Sequence, residues 1–354
     1  MKVAALVSGG VDSSVALARL VATGEHEIVA FYLKIWLEDE LAFLGECPWE
    51  EDLRYARAVC ERLGVPLEVV PLQREYHERV VQAAVAELAA GRTPSPDLHC
   101  NARVKLGAFV EAVGGGFDAV ATGHYARIGR EADGAPVLRR AVDAKKDQTY
   151  FLARLARDQL ARLVCPVGDL PKAAVRATAR DLGLATSERP DSQGICFLGK
   201  IPYPDFVRAY LGDAPGPIED VDTGVVLGEH RGLWYHTIGQ RKGLGLGGGP
   251  WFVVAKDLAA RRLLVAHETR VGPHRRATFT VNDVHWLDGR PAVAAIGSAK
   301  VRHGPAMAGC VASERGDGGL DVTLDAPDQG LAAGQFAVFY DRERDRCLGS
   351  GVIA

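Results

Sequence analysis

Apolar and polar positions sort the first half of the chain into two alternating textures. Residues 3–7, 28–33, 67–72 and 119–122 are short, largely apolar runs, the pattern of strands buried on both faces. Between them apolar residues recur with a helical period. Over residues 52–63, Leu53, Ala56, Val59, Cys60 and Leu63 share one face, and Gly64 stops the run. Strands alternating with helices predict an α/β fold, a doubly wound parallel sheet with helices on both faces.

Near residue 200 the texture changes. Pro and Gly become frequent in IPYP, APGP and GLGLGGGP. From about residue 278, short runs near 279–286, 294–302, 320–324 and 336–340 are separated by turn residues, which predicts a small C-terminal β-barrel or sandwich. A chain of 354 residues exceeds one compact core. The divisions predicted are 1–198 for the α/β domain, 199–277 for a small central domain and 278–354 for the β-barrel.

The sharpest local motif is Ser8-Gly9-Gly10-Val11-Asp12-Ser13-Ser14, placed directly after the first strand and at the start of the first helix. Two glycines let a backbone approach a phosphate. The serines bring hydroxyls, and a helix start brings unbonded N–H groups and partial positive charge. Asp12 fits if Mg²⁺ bridges it to the phosphates. No GxxxxGK[ST] loop occurs anywhere, and Gly243 to Gly248, although it fits GxGxxG, runs into Pro250 and Trp251 and reads as a loop.

Charge and cysteine usage narrow the classes. The net charge of −3 excludes a uniformly basic nucleic-acid binder, so RNA affinity must come from local patches. One is residues 255–276, with six Lys/Arg against two Asp/Glu, a local charge of +4. Arg241 and Lys242, then Lys300, Arg302 and His303, extend it. Trp234, Tyr235 and Trp251 are either base-stacking or core residues. Seven dispersed cysteines without a CxxC pair argue for a reducing compartment and against zinc or iron–sulfur sites. No apolar run of membrane-spanning length and no signal-type leader is present, which points to the cytoplasm, or to an organelle matrix had a leader been removed.

Two cysteines stand in polar, Gly/Pro-rich contexts. They are Cys100 in Pro94-Ser95-Pro96-Asp97-Leu98-His99-Cys100-Asn101, and Cys196 in Asp191-Ser192-Gln193-Gly194-Ile195-Cys196-Phe197. Sulfur relay needs two thiols that meet; the Asp97 carboxylate lies three residues before the Cys100 thiol, and His99 beside it is a candidate to aid its ionisation. Cys60, Cys165, Cys310 and Cys347 read as small buried hydrophobes, while Cys47 is left open.

The 8–14 motif resembles the PP-loop ATP pyrophosphatases. With it, in order, come the Asp97-to-Asn101 stretch, Ala121-Thr122-Gly123-His124-Tyr125-Ala126-Arg127, Lys146-Asp147-Gln148, residues 191–198, Gly239-Gln240-Arg241, Gly334-Gln335 and Ala337-Val338-Phe339-Tyr340-Asp341. That series resembles the tRNA-specific 2-thiouridylases along essentially the whole chain. The resemblance implies a tRNA-uridine 2-sulfurtransferase that uses ATP, Mg²⁺ and persulfide sulfur from a donor protein. It implies Cys100 as nucleophile, Cys196 as persulfide carrier, a transient disulfide between them, and Asp97 in acid/base work. ATP would meet Leu6, Val7, Ser8, Gly9, Gly10, Val11, Asp12, Ser13, Leu33 and Gly123. Ser95, Pro96 and Asp97 would meet the target base; Lys146, Asp147, Gln148, Arg302 and His303 would face tRNA, flanked by His124 and Gln335. The partners implied are tRNA and a sulfur-donor protein, with the enzyme a monomer off the membrane. Ser95 and His99 depart from the family pattern of Asn and an apolar residue. The rivals are another PP-loop adenylating enzyme acting on a small molecule, and a non-catalytic RNA-binding module.

Overall fold

The structure, a computed structural model, describes residues 1–35, 49–113, 115–191 and 201–354. β1 (Lys2–Leu6), β2 (Glu27–Lys34), β3 (Leu67–Pro71) and β4 (Ala119–Ala121) follow the predicted runs to within a residue or two. An antiparallel hairpin, β5 (Ala126–Arg130) and β6 (Pro136–Arg140), comes next, and then β7 (Leu163–Val164). The sheet is parallel throughout, in the order β3-β2-β1-β4-β7.

Strand side chains alternate between faces. Val3 and Ala5 of β1 pack with α1 (Val11–Thr23) and the helices Trp49–Leu63 and Lys172–Asp181, whereas Ala4 faces a second core with Val80, Leu88, Val104 and Phe109. Both faces of β1 are therefore covered, as its apolar run predicted, whereas β3 is an edge strand with Glu68, Val69 and Pro71 exposed, against the expectation of burial. In the helix Trp49–Leu63, Leu53, Ala56, Val59 and Cys60 are buried, and Gly64 ends it with φ +68°. Burial pushes the Cys60 thiol up to about 11, the behaviour of a core residue.

The central region holds β8 (Gly216–Asp220), β9 (Val226–His230), β10 (Trp251–Asp257) and β11 (Arg262–His267), in the order β10-β11-β8-β9. Ile218, Leu233, Val253, Leu263 and Val265 are among the residues that fill its core. Gly243 to Gly248 lies in the loop before β10, not at a helix start.

The C-terminal strands are β12 (Arg276–Trp286), β13 (Ser298–Lys300), β14 (Ala308–Glu314), β15 (Leu320–Asp328), β16 (Phe336–Tyr340) and β17 (Arg346–Ile353). The order β12-β15-β14-β13-β16-β17 closes through a β12–β17 pairing into a six-stranded barrel. Two features went unmarked by the periodicity. β14 and β17 are built from small residues and glycines, which blur a period of two. The β5–β6 hairpin leaves the parallel sheet and pairs with β17, Arg139 opposite Arg346 and Leu138 opposite Cys347. The α/β region and the barrel thus share one hydrogen-bonded sheet.

Candidate active site

The 8–14 turn sits at the carboxyl ends of the parallel strands, beside the order reversal where β2 and β4 flank β1. Such a crevice is where open α/β sheets take ligands. Leu33, next to last in β2, and Gly123, two residues after β4, lie at the same edge. Gly9 has φ +74°, and a Cβ there would run into the Asp52 carbonyl. A Cβ on Gly123 would lie 2.6 Å from the Ser13 nitrogen, so only glycine lets this strand end press against α1. The Ser13 and Ser14 hydroxyls donate to Gly10 O at 3.0 and 2.8 Å, and the Ser8 nitrogen donates to Ser13 Oγ at 3.1 Å. These hydroxyls therefore shape the turn. The groups left to face an anion are the first N–H groups of α1, which have no acceptor within the helix.

Charged residues from four segments gather over this turn. Asp12 accepts from Lys172 Nζ at 2.6 and 2.8 Å and from the Tyr125 hydroxyl at 2.7 Å. Lys172 Nζ also lies 2.8 Å from Asp191, which pairs with Lys146 at 2.7 Å and Arg176 at 2.6 Å. Arg189 donates to Gly9 O at 2.7 Å and pairs with Asp52. Burial by itself raises the Asp191 pKa, but hydrogen bonds from Lys146 and Lys172 outweigh it and hold the carboxyl below its usual range. Burial, and then the Asp12 charge, push the Tyr125 phenol up, so it stays a donor. Four cations meet three carboxylates here, a balance that favours an incoming polyphosphate. Sequence reasoning missed Tyr125, Lys172, Arg176 and Arg189 in this role. The available signal was Lys172 and Arg176, four apart on one helix face directly after Pro171.

The Cys100 segment is wedged between all three regions. The short helix Pro96–His99 leads into a wide, π-type helical stretch, Cys100–Ala108, and Cys100 is buried. Such turns are rare and cluster at functional sites. Gln159 Nε2 donates to Ala102 O and Leu106 O at 2.8 and 2.9 Å, stitching the widened turn. Asn101 Nδ2 donates to Phe151 O at 3.0 Å. On the barrel side, Thr93 N donates to Ala333 O at 2.8 Å, beside Gly334 and the half-buried Gln335. On the central side, the Thr93 and Thr237 hydroxyls are 2.7 Å apart, and Lys256 Nζ donates to Gly91 O at 3.0 Å.

His99, a candidate helper for the thiol, packs edge-on against Phe336 at 5.5 Å. Burial, reinforced by Arg103 and Arg154, lowers its pKa to about 4, so near neutral pH it brings no positive charge to Cys100. His124, with Nδ1 2.9 Å from the Thr122 hydroxyl, is likewise lowered to about 3 by burial and then Lys105. Ser95 and Asp97 are half-buried and Pro96 is buried. Burial lowers the His303 pKa, with Lys300 adding to it and Asp97 opposing. Cys196 and Cys47 lie outside the described residues. Cys165 is pushed up to about 12 and Cys310 to about 11, both mainly by burial, and Cys347 is also raised by burial, as core thiols are.

Several RNA-facing expectations need correction. Lys300 and Asp147 are enclosed, not exposed; their side chains have 0% exposure and pair at 2.6 Å. An enclosed carboxylate offers a phosphate nothing. Residues 255–276 keep part of their charge at the surface, where Arg261, Arg270, Arg275 and Arg276 are exposed. Arg262 pairs with Glu219 and Asp257, Arg270 with Asp220 and Asp222, and Lys256 is half-buried, its pKa lowered to about 8 by desolvation. Trp234, Tyr235 and Trp251 are half-buried, and each donates to a backbone carbonyl. Lys146 and Arg302 do reach the surface, Arg302 in a two-pronged pair with Asp328, and His303 stacks on Phe151 at 4.5 Å. Gln148 exchanges two hydrogen bonds with Tyr125.

A parallel sheet with a diglycine turn under a cation cluster, joined to a small β-domain and a barrel, defines a nucleotide-binding α/β enzyme with accessory β-modules. Family models match these regions in order: "tRNA methyl transferase HUP domain" over residues 1–200, "tRNA methyl transferase PRC-barrel domain" over 204–267 and "Aminomethyltransferase beta-barrel domain" over 276–353. The chain is 44% identical to tRNA-specific 2-thiouridylase MnmA 1 of Bacteroides thetaiotaomicron, covering 100% of this chain and 99% of that protein. It is 43% identical to tRNA-specific 2-thiouridylase MnmA of Parabacteroides distasonis, with the same coverage. The chain belongs to the tRNA-specific 2-thiouridylase family. The methyltransferase wording of the domain descriptions and the thiouridylase names of the relatives differ; the relatives span the entire chain and decide the family. Among solved structures, the U34-tRNA thiolase NcsA of Methanococcus maripaludis overlaps 55% of this chain and 60% of its own at 15% identity and TM-score 0.33, too distant to add weight.

Proposed function

We propose that the chain converts the wobble uridine of tRNA to 2-thiouridine in two stages, with residues 1–198 performing the chemistry and 199–277 and 278–354 holding the RNA. The uridine C2 oxygen attacks the α-phosphorus of ATP and pyrophosphate leaves. The outer sulfur of a Cys196 persulfide then attacks C2 and AMP departs. Cys100 thiolate attacks the inner sulfur of Cys196, forming a disulfide and releasing the thiocarbonyl; a reductant restores both thiols. Atoms and electrons balance with the persulfide as sulfur source.

What supports this reading is that one region carries both the 8–14 turn with its cations and the Cys100 segment, whose leading residues Gly91 and Thr93 bond to the central region and the barrel. ATP phosphates would lie on the first N–H groups of α1, contacted by Lys172, Arg176 and Arg189. Leu33 and Gly123 would border the base. Mg²⁺ needs only one or two protein carboxylates beside phosphate oxygens, and Asp12 suits that role once Lys172 turns to the phosphate. The ion would neutralise charge on the pyrophosphate. Asp97 takes the acid/base role, beside His99 and His124, which burial holds uncharged. Ser95 and Pro96 border the flipped base. Lys146, Gln148, Arg302 and His303 address the RNA, with His124 and Gln335 flanking. A sulfur-donor protein loads Cys196, and the enzyme acts as a cytoplasmic monomer.

Nucleoside analysis of tRNA after incubation with the protein, ATP and a persulfide donor tests this. The expected product is 2-thiouridine with stoichiometric AMP. AMP release without any thiolated nucleoside would instead assign the chain to a small-molecule adenylating role.

A further inference from the structure

The two segments expected to address RNA, 146–148 and 302–303, belong to different regions of the fold. One enclosed ion pair joins them. Lys300 Nζ lies 2.6 Å from Asp147 Oδ2 with neither side chain exposed. Asp147 also accepts from Ala141 N at 3.2 Å, from the Thr149 hydroxyl at 3.0 and 3.1 Å, and from Arg140 Nε at 3.4 Å. The Thr149 hydroxyl is 2.9 Å from that of Tyr340 on β16. Lys300 is the last residue of β13, two positions before Arg302. On the other side Gln148 is bonded to Tyr125, whose hydroxyl reaches Asp12. A bonded path therefore runs from the nucleotide turn to the start of the barrel's 301–307 loop.

A buried ion pair is weak evidence for stability, because desolvation offsets attraction and an apolar pair of similar volume often packs as well. What an apolar pair lacks is direction. Four donors converge on one carboxylate and fix Lys300 along it. We propose that Asp147 and Lys300 are positioning residues for tRNA: they hold the 302–303 loop in register with the nucleotide site without touching the RNA. This rests on the tRNA reading above.

The test is the full-length double variant Asp147→Leu/Lys300→Met, which removes both charges together. Its melting midpoint and ATP affinity should stay near wild type, while KM for tRNA rises about tenfold with kcat at saturating tRNA little changed. A purely structural pair predicts that a folded, stable double variant keeps the wild-type KM, and that result overturns the proposal. Thr149→Val is the second probe should the double variant fail to fold. It keeps both charges but drops one donor, and KM should rise about threefold; no rise overturns the proposal too. Failure of wild-type protein to bind tRNA better than a homopolymer RNA would remove the tRNA reading itself. Wild-type binding that the double variant retains removes this inference alone.

Discussion

Two lysine–aspartate pairs share a 2.6 Å separation and little else. Lys172–Asp12 has 14% and 32% side-chain exposure, and its lysine is shared with a second carboxylate, Asp191. Lys300–Asp147 has none, and its carboxylate is filled by four donors. The first is an exchange site: open to solvent, surrounded by surplus cations, able to release a lysine to a phosphate. The second is a strut. Identical chemistry at identical distance serves opposite purposes because exposure decides whether a partner can be replaced.

The largest effect that would break this comparison is on stability. Lys300→Met leaves the enclosed Asp147 with only Arg140, 3.4 Å away, as counter-charge, which should cost about 3 kcal/mol in denaturant unfolding. Lys172→Ala, at the more open pair, should cost under about 1 kcal/mol. Comparable losses at both would erase the distinction between strut and exchange site.

Catalysis should show the reverse. Lys172→Ala should slow tRNA-dependent AMP formation by about 10²–10³-fold, the typical cost of one charge-stabilising donor, with the fold retained. Undiminished AMP release from the folded variant would deny the exchange role.

Acid sensitivity sharpens the contrast around the Cys100 segment. The folded pKa of His99, about 4, lies below its ordinary 6.5. Below pH 6.5 the unfolded chain takes up a proton that the folded chain refuses. Stability is thus greatest above pH 6.5 and falls as pH drops toward 4. His99→Leu should recover up to about 3 kcal/mol of this loss at pH 4 relative to pH 7. Unfolding curves with the same pH slope as wild type would show that His99 is not held neutral.

The smallest effect is at the surface. Arg302→Ala should weaken tRNA binding and flatten the log affinity–log salt slope by about 0.7–0.9, the share of one phosphate contact. Equal slopes for Arg302→Ala and wild type would take Arg302 off the RNA path.

By itself the sequence determined what depends on local order. The buried strands, the helix over residues 52–63 with its glycine stop, and the phosphate-type turn are short-range patterns, and each lies within a residue or a few of its prediction. The family was legible because its motifs recur in order along the whole chain. Tertiary structure alone decided which charges are enclosed. Lys146 and Lys300 look alike in sequence, yet Asp147 encloses Lys300 while Lys146 stays partly exposed beside Asp191. It also decided β16, whose five residues are all buried because Phe336, Val338 and Tyr340 face the catalytic core while Ala337 and Phe339 face the barrel. An apolar run announces burial on two sides without saying against what. The enclosure of Asp147, the recruitment of β5–β6 into the barrel sheet and the gathering of Lys172 and Arg189 over Asp12 and Gly9 join residues far apart in the chain. Contacts of that range leave no periodic trace, because periodicity records which way a side chain points and not what comes to meet it.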